Sequence, residues 1–453
     1  MALFQDIVAT SSALFSAKLF ETPHLRRFLV GVLVLMPNAI SAATPLPSAT
    51  PESVGMSAER LEKIGTYFKK EVAEGRIPGG VIAVARSGKL VYFTTFGVQG
   101  PATKVQMQAD SIFRLYSMTK PLTSVAAMLL VEDGAIRLGA PISKYLPEFS
   151  KMQVSVAKKD VEGKTTYEMV PAENAITVQD LLRHTSGLTY GHFTTNAPVK
   201  QAYAQAGVHK PEVLANDYRI LPAAEQISAL AKAPLAYQPG TTWEYGLSTD
   251  ILGRVIEAVS GKRLGDFLEE RLLKPLKMVD TGFSVSAANA HRLAEPFETD
   301  PFTKRKFPLF NVSTTPNNDS GGAGAVSTAG DYLRFTQMLL NGGSLDGVRV
   351  ISPATIRFMV TDQLGDRKFG PGASDDWAEG YSFGLGFLVR QKVGLAEIPA
   401  SVGTFAWSGA GGTYFWVDPQ EQLTAVLMLQ VPGPAGWSYW TTMGNLTYQA
   451  IVK

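Results

Sequence analysis

Residues 111–121 read SIFRLYSMTKP, and inside them lies S-M-T-K, Ser117 to Lys120. Serine and lysine are both common, so a bare S-x-x-K arises by chance on the order of once in a chain of this length. This chain has a second one, S-V-A-K, Ser155 to Lys158. The surroundings separate the two. After Ser117, apolar residues recur at Met118, Leu122, Val125, Ala126, Leu129 and Leu130, which predicts a helix that begins at the serine. Residues three apart share a helix face, so Lys120 falls within reach of the Ser117 hydroxyl. The helix N-terminus favours developing negative charge. Desolvation in an apolar pocket would lower the lysine's basicity toward that of a usable base. On these residues alone, a helix-capping Ser117 with a surface Lys120 explains the pattern equally well.

Around Ser155 the chain reads MQVSVAKKDVEGKTTYE. Alternating polarity and dense charge there predict an exposed hairpin or insertion. A third serine, Ser382 in G-Y-S-F-G, fits G-x-S-x-G. A nucleophile elbow needs a strand–turn–helix and a histidine later in the chain. No histidine follows His291, so Ser382 reads as a glycine-rich lead into a strand.

The 453 residues are 45% hydrophobic and 18% charged, ordinary globular material for one large domain or two packed regions. Net charge is +2, and no basic stripe points to nucleic acid. With no cysteine, thiol catalysis, disulfides and thiolate metal sites are excluded. The five histidines, His24, His184, His192, His209 and His291, show no metal-ligand spacing. No cofactor or metal is implied.

Arg26-Arg27, the apolar run Phe28–Met36 and the small residues that follow predict an export signal, with residues 1–42 as signal and n-region. The run is too short to span a bilayer. The expected location is the periplasm or the medium. Some 25 residues precede the arginine pair, which is long for an n-region. Residues 43–56, rich in Ala, Thr, Pro and Ser, read as a linker into a domain spanning 57–453.

Within that domain Ser57 caps a helix bearing Leu61, Ile64, Phe68 and Val72 on one face. Val81–Ala85 and Leu90–Gly97, joined by R-S-G-K, predict an antiparallel hairpin. Ile251, Leu252, Val255, Ile256 and Val259 predict a helix stopped by Gly261. Thr328 and Asp331 have the spacing of a capping box. Strand signals return at FGLGFLVR, TYFWVDP and LTAVLMLQV, and Tyr439–Val452 reads as a final helix. The expected fold is therefore α/β (α+β). An antiparallel sheet is built from both chain ends, about 57–110 and 381–453. A mostly helical region, about 111–380, is inserted between them.

Further segments accompany S-M-T-K: AYQPGTTWEYGLSTDILG (236–253), WSGAGGTYFWVD (407–418), LLRHTSGL (181–188), PLKMVDTGF (275–283), GGAGAVSTAGDY (321–332) and FGLGF (383–387). From about residue 52 to the end, this ordered set resembles the serine β-lactamase and penicillin-binding-protein superfamily. Its class C-like branch, with family VIII carboxylesterases and lovastatin-type acyltransferases, is the most similar. The resemblance implies a β-lactamase/transpeptidase-like fold. It implies Ser117 as nucleophile, Lys120 as its lysine partner and Tyr245 as the tyrosine of the family's Y-x-N motif. Either Lys120 or Tyr245 would serve as base. The backbone N–H groups of Ser117 and Ala410 would form the oxyanion hole.

Two positions depart from the family pattern. Leu247 replaces the asparagine of Y-x-N, and Trp407-Ser408-Gly409 replaces K-T-G. The pocket loses a cation and a polar side chain, which favours apolar, uncharged ester or acyl groups. Trp407, Ser408, Gly409, Tyr116 and Leu247 are the expected substrate contacts. Gly322, Gly324, Gly409, Gly411 and Gly412 are expected close-approach positions near the site. His184 is expected to be structural, and Phe415 and Trp416 are expected in the core or the pocket wall. The expected activity is that of a carboxylesterase, with acyl transfer and weak β-lactam hydrolysis alongside. The alternatives are a β-lactamase, a D-alanyl-D-alanine carboxypeptidase-like enzyme, and a sensor that acylates once without turnover. The only expected partner is a small ester or acyl substrate, and no motif encodes an oligomeric state.

Overall fold

The computed structural model describes residues 46–210, 216–370, 379–433 and 435–453. The export-signal segment and residues 43–45 of the expected linker lie outside them. Helix α1 (Ala58–Ala73) leads into strands β1 (Gly79–Arg86), β2 (Lys89–Gly100) and β3 (Val105–Gln106). The middle of the chain carries helices α2 (Thr119–Glu132), α3 (Ser248–Ser260) and α4 (Ala329–Leu340). Strands β4 (Tyr381–Phe383), β5 (Leu388–Arg390), β6 (Phe405–Ser408), β7 (Tyr414–Asp418) and β8 (Leu423–Leu429) follow, and α5 (Ala435–Tyr448) closes the fold.

The strands form one antiparallel sheet in the order β4-β5-β6-β7-β8-β1-β2-β3. The two chain ends meet at its centre, where Gly80 pairs with Leu429 on β8 and with Phe96 on β2. All of β1 is buried. This explains its unbroken apolar run, because a strand covered on both faces need not alternate. Val81, Ala83 and Ala85 face a core shared with α2, α3 and α4. Ile82 and Val84 face a second core with Leu61, Ile64 and Phe68 of α1 and Met443 of α5. The fold is thus a sheet between two helical layers, and the expected architecture is borne out.

The helices start and stop for local reasons. Ser57 accepts a hydrogen bond from Arg60 N–H at the head of α1, and Gly261 ends α3 in the left-handed region. Thr328 caps α4 by accepting from Asp331 N–H, but the reciprocal half of the expected box is missing. The Asp331 carboxylate is drawn instead to Asp280 N–H (2.8 Å) and Thr281 Oγ1 (2.9 Å). In α2, every residue from Thr119 to Leu130 is buried, which makes it a core helix without a solvent face.

Two expectations need correction, and one detail is added. Residues 46–56 are packed rather than linking: Leu46 and Met56 are buried, and Ser48 and Met56 bridge to Leu90 and Ile451. Pro51 opens a short 3-10 helix there, Pro51–Val54, in a segment that composition alone reads as a linker. The FGLGFLVR segment is two strands, β4 and β5, folded back at Gly384–Gly386. The helical region also holds small two-stranded ribbons, including the Gln153–Lys159/Thr165–Pro171 hairpin. Among the described residues, no helix is long and apolar enough to cross a membrane.

Candidate active site

Ser117 lies in a 3-10 turn, Tyr116–Met118, that runs directly into α2. It is therefore two residues ahead of the α-helix proper. Tyr116 sets up this turn with φ +47°, in the left-handed region. That conformation costs a tyrosine roughly 1–2 kcal/mol. Its ring is buried against Phe310, 4.7 Å between centroids, and burying a ring of that size gains about 2–3 kcal/mol. Packing therefore outweighs the strain.

The 409–412 turn sits on the same backbone. Thr413 Oγ1 donates to Leu115 O (3.2 Å), and a Cβ on Gly409 would lie 2.1 Å from that oxygen. Only glycine allows this approach, and Ala410 in the same turn packs against the cluster that contains Tyr116, the neighbour of Ser117. Ala410 and Ser117 keep partial exposure while the residues next to them are buried.

The Ser117 hydroxyl stands between two groups. Tyr245 Oη donates to Ser117 Oγ at 2.6 Å, and Lys120 Nζ lies 3.3 Å from it. Lys120 Nζ also donates to Gly322 O (2.8 Å) and contacts Tyr190 Oη (3.0 Å). The expected Ser117, Lys120 and Tyr245 thus converge. Tyr190 is a fourth member that sequence reading missed.

Burial decides the protonation states. The Lys120 ammonium is 1% exposed, and desolvation lowers its pKa to about 7, with the Asp250 carboxylate working in the opposite direction. Burial raises Tyr245 and Tyr190 above the ordinary phenol range. Hydrogen bonding with Ser117 and Trp407 offsets only part of the rise at Tyr245. Near neutral pH both tyrosines are therefore phenols, and the lysine is the group that gains and loses a proton. A neutral lysine has two N–H donors and one lone pair. Gly322 O and Tyr190 Oη take the donors, leaving the lone pair for the serine proton.

An aromatic shell encloses these groups. Trp407 packs edge-on to Tyr245 (5.4 Å), and His184 lies 5.0 Å from the same ring. Tyr190 stacks between His192 (5.2 Å) and Tyr218 (5.3 Å). His184 is buried, and its pKa is lowered well below the ordinary value by burial, reinforced by Lys120. It is a neutral wall of Tyr245, consistent with its structural reading.

All five expected substrate contacts are buried. Leu247 is fully buried at the head of α3, and Tyr116 is buried against Phe310. Trp407, Ser408 and Gly409 are also buried, with Trp407 backing Tyr245. The partly exposed aromatic residues beside Tyr190 and Tyr245 are His192, Phe193 and Tyr218. The signal that could have found two of them is the aromatic run Y-G-H-F, 190–193, just after HTSG. Gly322 is a close-approach position as expected: a Cβ there would lie 2.2 Å from Asp250 Oδ2. Phe415 and Trp416 are core.

The rival serines sit apart from this cluster. Ser382 lies on β4 and hydrogen-bonds Asp362, as a strand residue would. Ser155 is on the hairpin, but buried at its base rather than exposed.

This geometry defines a class of protein. A family model described as Beta-lactamase matches residues 64–441, and the chain belongs to the beta-lactamase family. It is 36% identical to Protein Rv1367c of Mycobacterium tuberculosis, over 80% of this chain and 88% of that one. It is 29% identical to Esterase EstB of Burkholderia gladioli, over 86% and 94%. Among solved structures, EstCE1, a hydrolase with promiscuous acyltransferase activity, superposes with a TM-score of 0.68 at 26% identity. That match covers 88% of this chain and 99% of EstCE1.

Proposed function

We propose that this chain is a serine hydrolase of small uncharged esters, acting through an acyl-enzyme on Ser117. One observation carries the reading: the Ser117 hydroxyl lies 2.6 Å from a phenol and 3.3 Å from a buried lysine inside an aromatic shell. Lys120 takes the Ser117 proton as Oγ attacks the ester carbonyl. The N–H groups of Ser117 and Ala410 receive the developing oxyanion. The alcohol leaves with the proton held by Lys120, passed directly or through Tyr245. Water, or a second alcohol, then attacks the acyl-enzyme in the mirror sequence and yields acid or a new ester.

Trp407 supports the choice of substrate. An indole stands where the family's K-T-G motif carries a cation, so a substrate carboxylate finds no partner at that position. The relatives named as an esterase and as a hydrolase with acyltransferase activity point the same way. The export reading of residues 26–42 belongs to the same proposal, and mature protein starting near residue 43 in the periplasm or medium would bear it out.

The test is a parallel assay of short p-nitrophenyl esters and a chromogenic cephalosporin, with Ser117→Ala as control. Ester turnover that vanishes in Ser117→Ala, with slow or absent cephalosporin turnover, is the expected result. Cephalosporin turnover equal to that of the esters, or stoichiometric acylation without turnover, would overturn it.

A further inference from the structure

Asp250 is the buried charge that the mechanism above does not use. It sits in the first turn of α3, fully buried, five residues after Tyr245. Its Oδ1 accepts from Ser320 Oγ (2.5 Å) and from Gly322 N–H (3.4 Å). The carbonyl of the same residue is committed to the site, because Gly322 O accepts from Lys120 Nζ at 2.8 Å. A Cβ on Gly322 would meet Asp250 Oδ2 at 2.2 Å, so the turn is pressed against the carboxylate. Asp250 Oδ2 has no hydrogen-bond partner among the described residues. An isolated carboxylate in such a place is costly unless a cation offsets it.

The groups around this pair are few. Lys120 faces Ser117, Tyr190, Tyr245, His184 and Asp250. Asp250 faces Lys120 and Arg254, and it interacts at longer range with Tyr190, Tyr218 and Tyr245. The phenols and the imidazole are neutral near pH 7. Arg254 is engaged by Glu257 and by Asp319 O. Asp250 is therefore the negative charge that reaches Lys120.

We propose that Asp250 is a positioning residue of the reaction: it holds the 320–322 turn whose carbonyl anchors Lys120, and its charge sets the pH at which Lys120 gives up its proton. Burial raises the Asp250 carboxyl above its ordinary range, and Lys120, Ser320 Oγ–H and Gly322 N–H work in the opposite direction, toward the ionised form. Without that charge, burial acts on Lys120 unopposed. The amine is then neutral at lower pH, but it is a weaker base. The proposal rests on the reading of Lys120 as general base.

The experiment is the pH profile of kcat/KM for p-nitrophenyl acetate, from about pH 5 to 9. It compares the parent chain with Asp250→Asn, Asp250→Glu and Ser320→Ala, each checked by thermal melting. The parent is expected to lose activity below about pH 7. Asp250→Asn is expected to move that acid limb down by about one unit or more, because an adjacent opposite charge shifts a pKa by about that amount. Its plateau should also be lower. Asp250→Glu keeps the charge and is expected to lower the rate with the limb in place, an outcome that loss of fold support alone does not produce in contrast with Asn. Ser320→Ala weakens the hold on the ionised carboxylate, so its limb is expected to move the same way by less. A folded Asp250→Asn with an unmoved limb overturns the proposal. If Asp250→Asn does not fold, an unmoved limb in Ser320→Ala overturns it. A parent with no acid limb at all contradicts the Lys120 assignment instead, which keeps the two failures distinct.

Discussion

Two stretches of this chain share one tetrapeptide pattern and have opposite fates. Ser117-x-x-Lys120 enters a buried helix, whereas Ser155-x-x-Lys158 lies on one strand of a hairpin. On a helix, residues three apart share a face, and Lys120 Nζ comes within 3.3 Å of the serine oxygen. On a strand, side chains alternate, so residues three apart point to opposite faces. Ser155 accordingly turns inward, 1% exposed, while Lys158 turns out to water and pairs with Glu168 on the neighbouring strand. The burial that lowers Lys120 to about 7 is absent at Lys158, whose side chain is 59% exposed. Spacing becomes chemistry only when secondary structure and burial agree with it.

The largest effect that could break the comparison is loss of the nucleophile. Ser117→Ala is expected to lower kcat for esters by about 10³-fold or more, while Ser155→Ala stays within about twofold of the parent. Steady-state assays of the two folded variants decide this, and activity retained in Ser117→Ala would transfer the assignment elsewhere.

Lys120→Met is expected to lower kcat by about 10²–10⁴-fold, against no change in Lys158→Met. It should also alter how stability depends on pH. The folded Lys120 titrates near 7 and the unfolded one near its ordinary 10.5. Between these values the unfolded chain holds a proton that the folded chain has released. Stability of the parent therefore rises with pH relative to Lys120→Met, by about 1.4 kcal/mol per unit. Urea unfolding at about pH 7, 8 and 9 measures this, and parallel curves for parent and variant would contradict it.

Tyr245→Phe removes the donor to Ser117 Oγ and is expected to cost about 10²-fold in kcat. Tyr190→Phe leaves Ser117 untouched and removes one partner of Lys120, so its loss should be smaller. Reversal of that order would mean that Tyr190, not Tyr245, is the phenol coupled to the reaction. The smallest effect belongs to the hairpin. Its Lys158–Glu168 pair is half exposed on both sides, so Glu168→Gln is expected to change stability by less than about 1 kcal/mol and turnover not at all.

The sheet was readable because its strand signals at both chain ends are contiguous in sequence. Ser117, Lys120 and Tyr245 were readable only through the ordered set of motifs that resembles a known family, since Tyr245 meets Ser117 across 128 residues. Tyr190 was not readable, because its hydroxyl meets Lys120 across 70 residues. Asp250 stood inside a quoted motif, yet nothing in its neighbours reveals that Gly322, from a distant segment, packs on its carboxylate. Leu247, where the family pattern carries a polar residue, is fully buried at the head of α3, and burial of an isobutyl group there is favourable.

The central claim, that Ser117 is the residue acylated in turnover, is tested most directly by covalent capture. The chain is treated with a fluorophosphonate and then digested, and the modified residue is located by mass spectrometry. One addition per chain, on Ser117, suppressed by prior incubation with a short ester substrate, is the predicted result. Modification at Ser155, Ser382 or any other serine, with Ser117 unlabelled, would contradict the account.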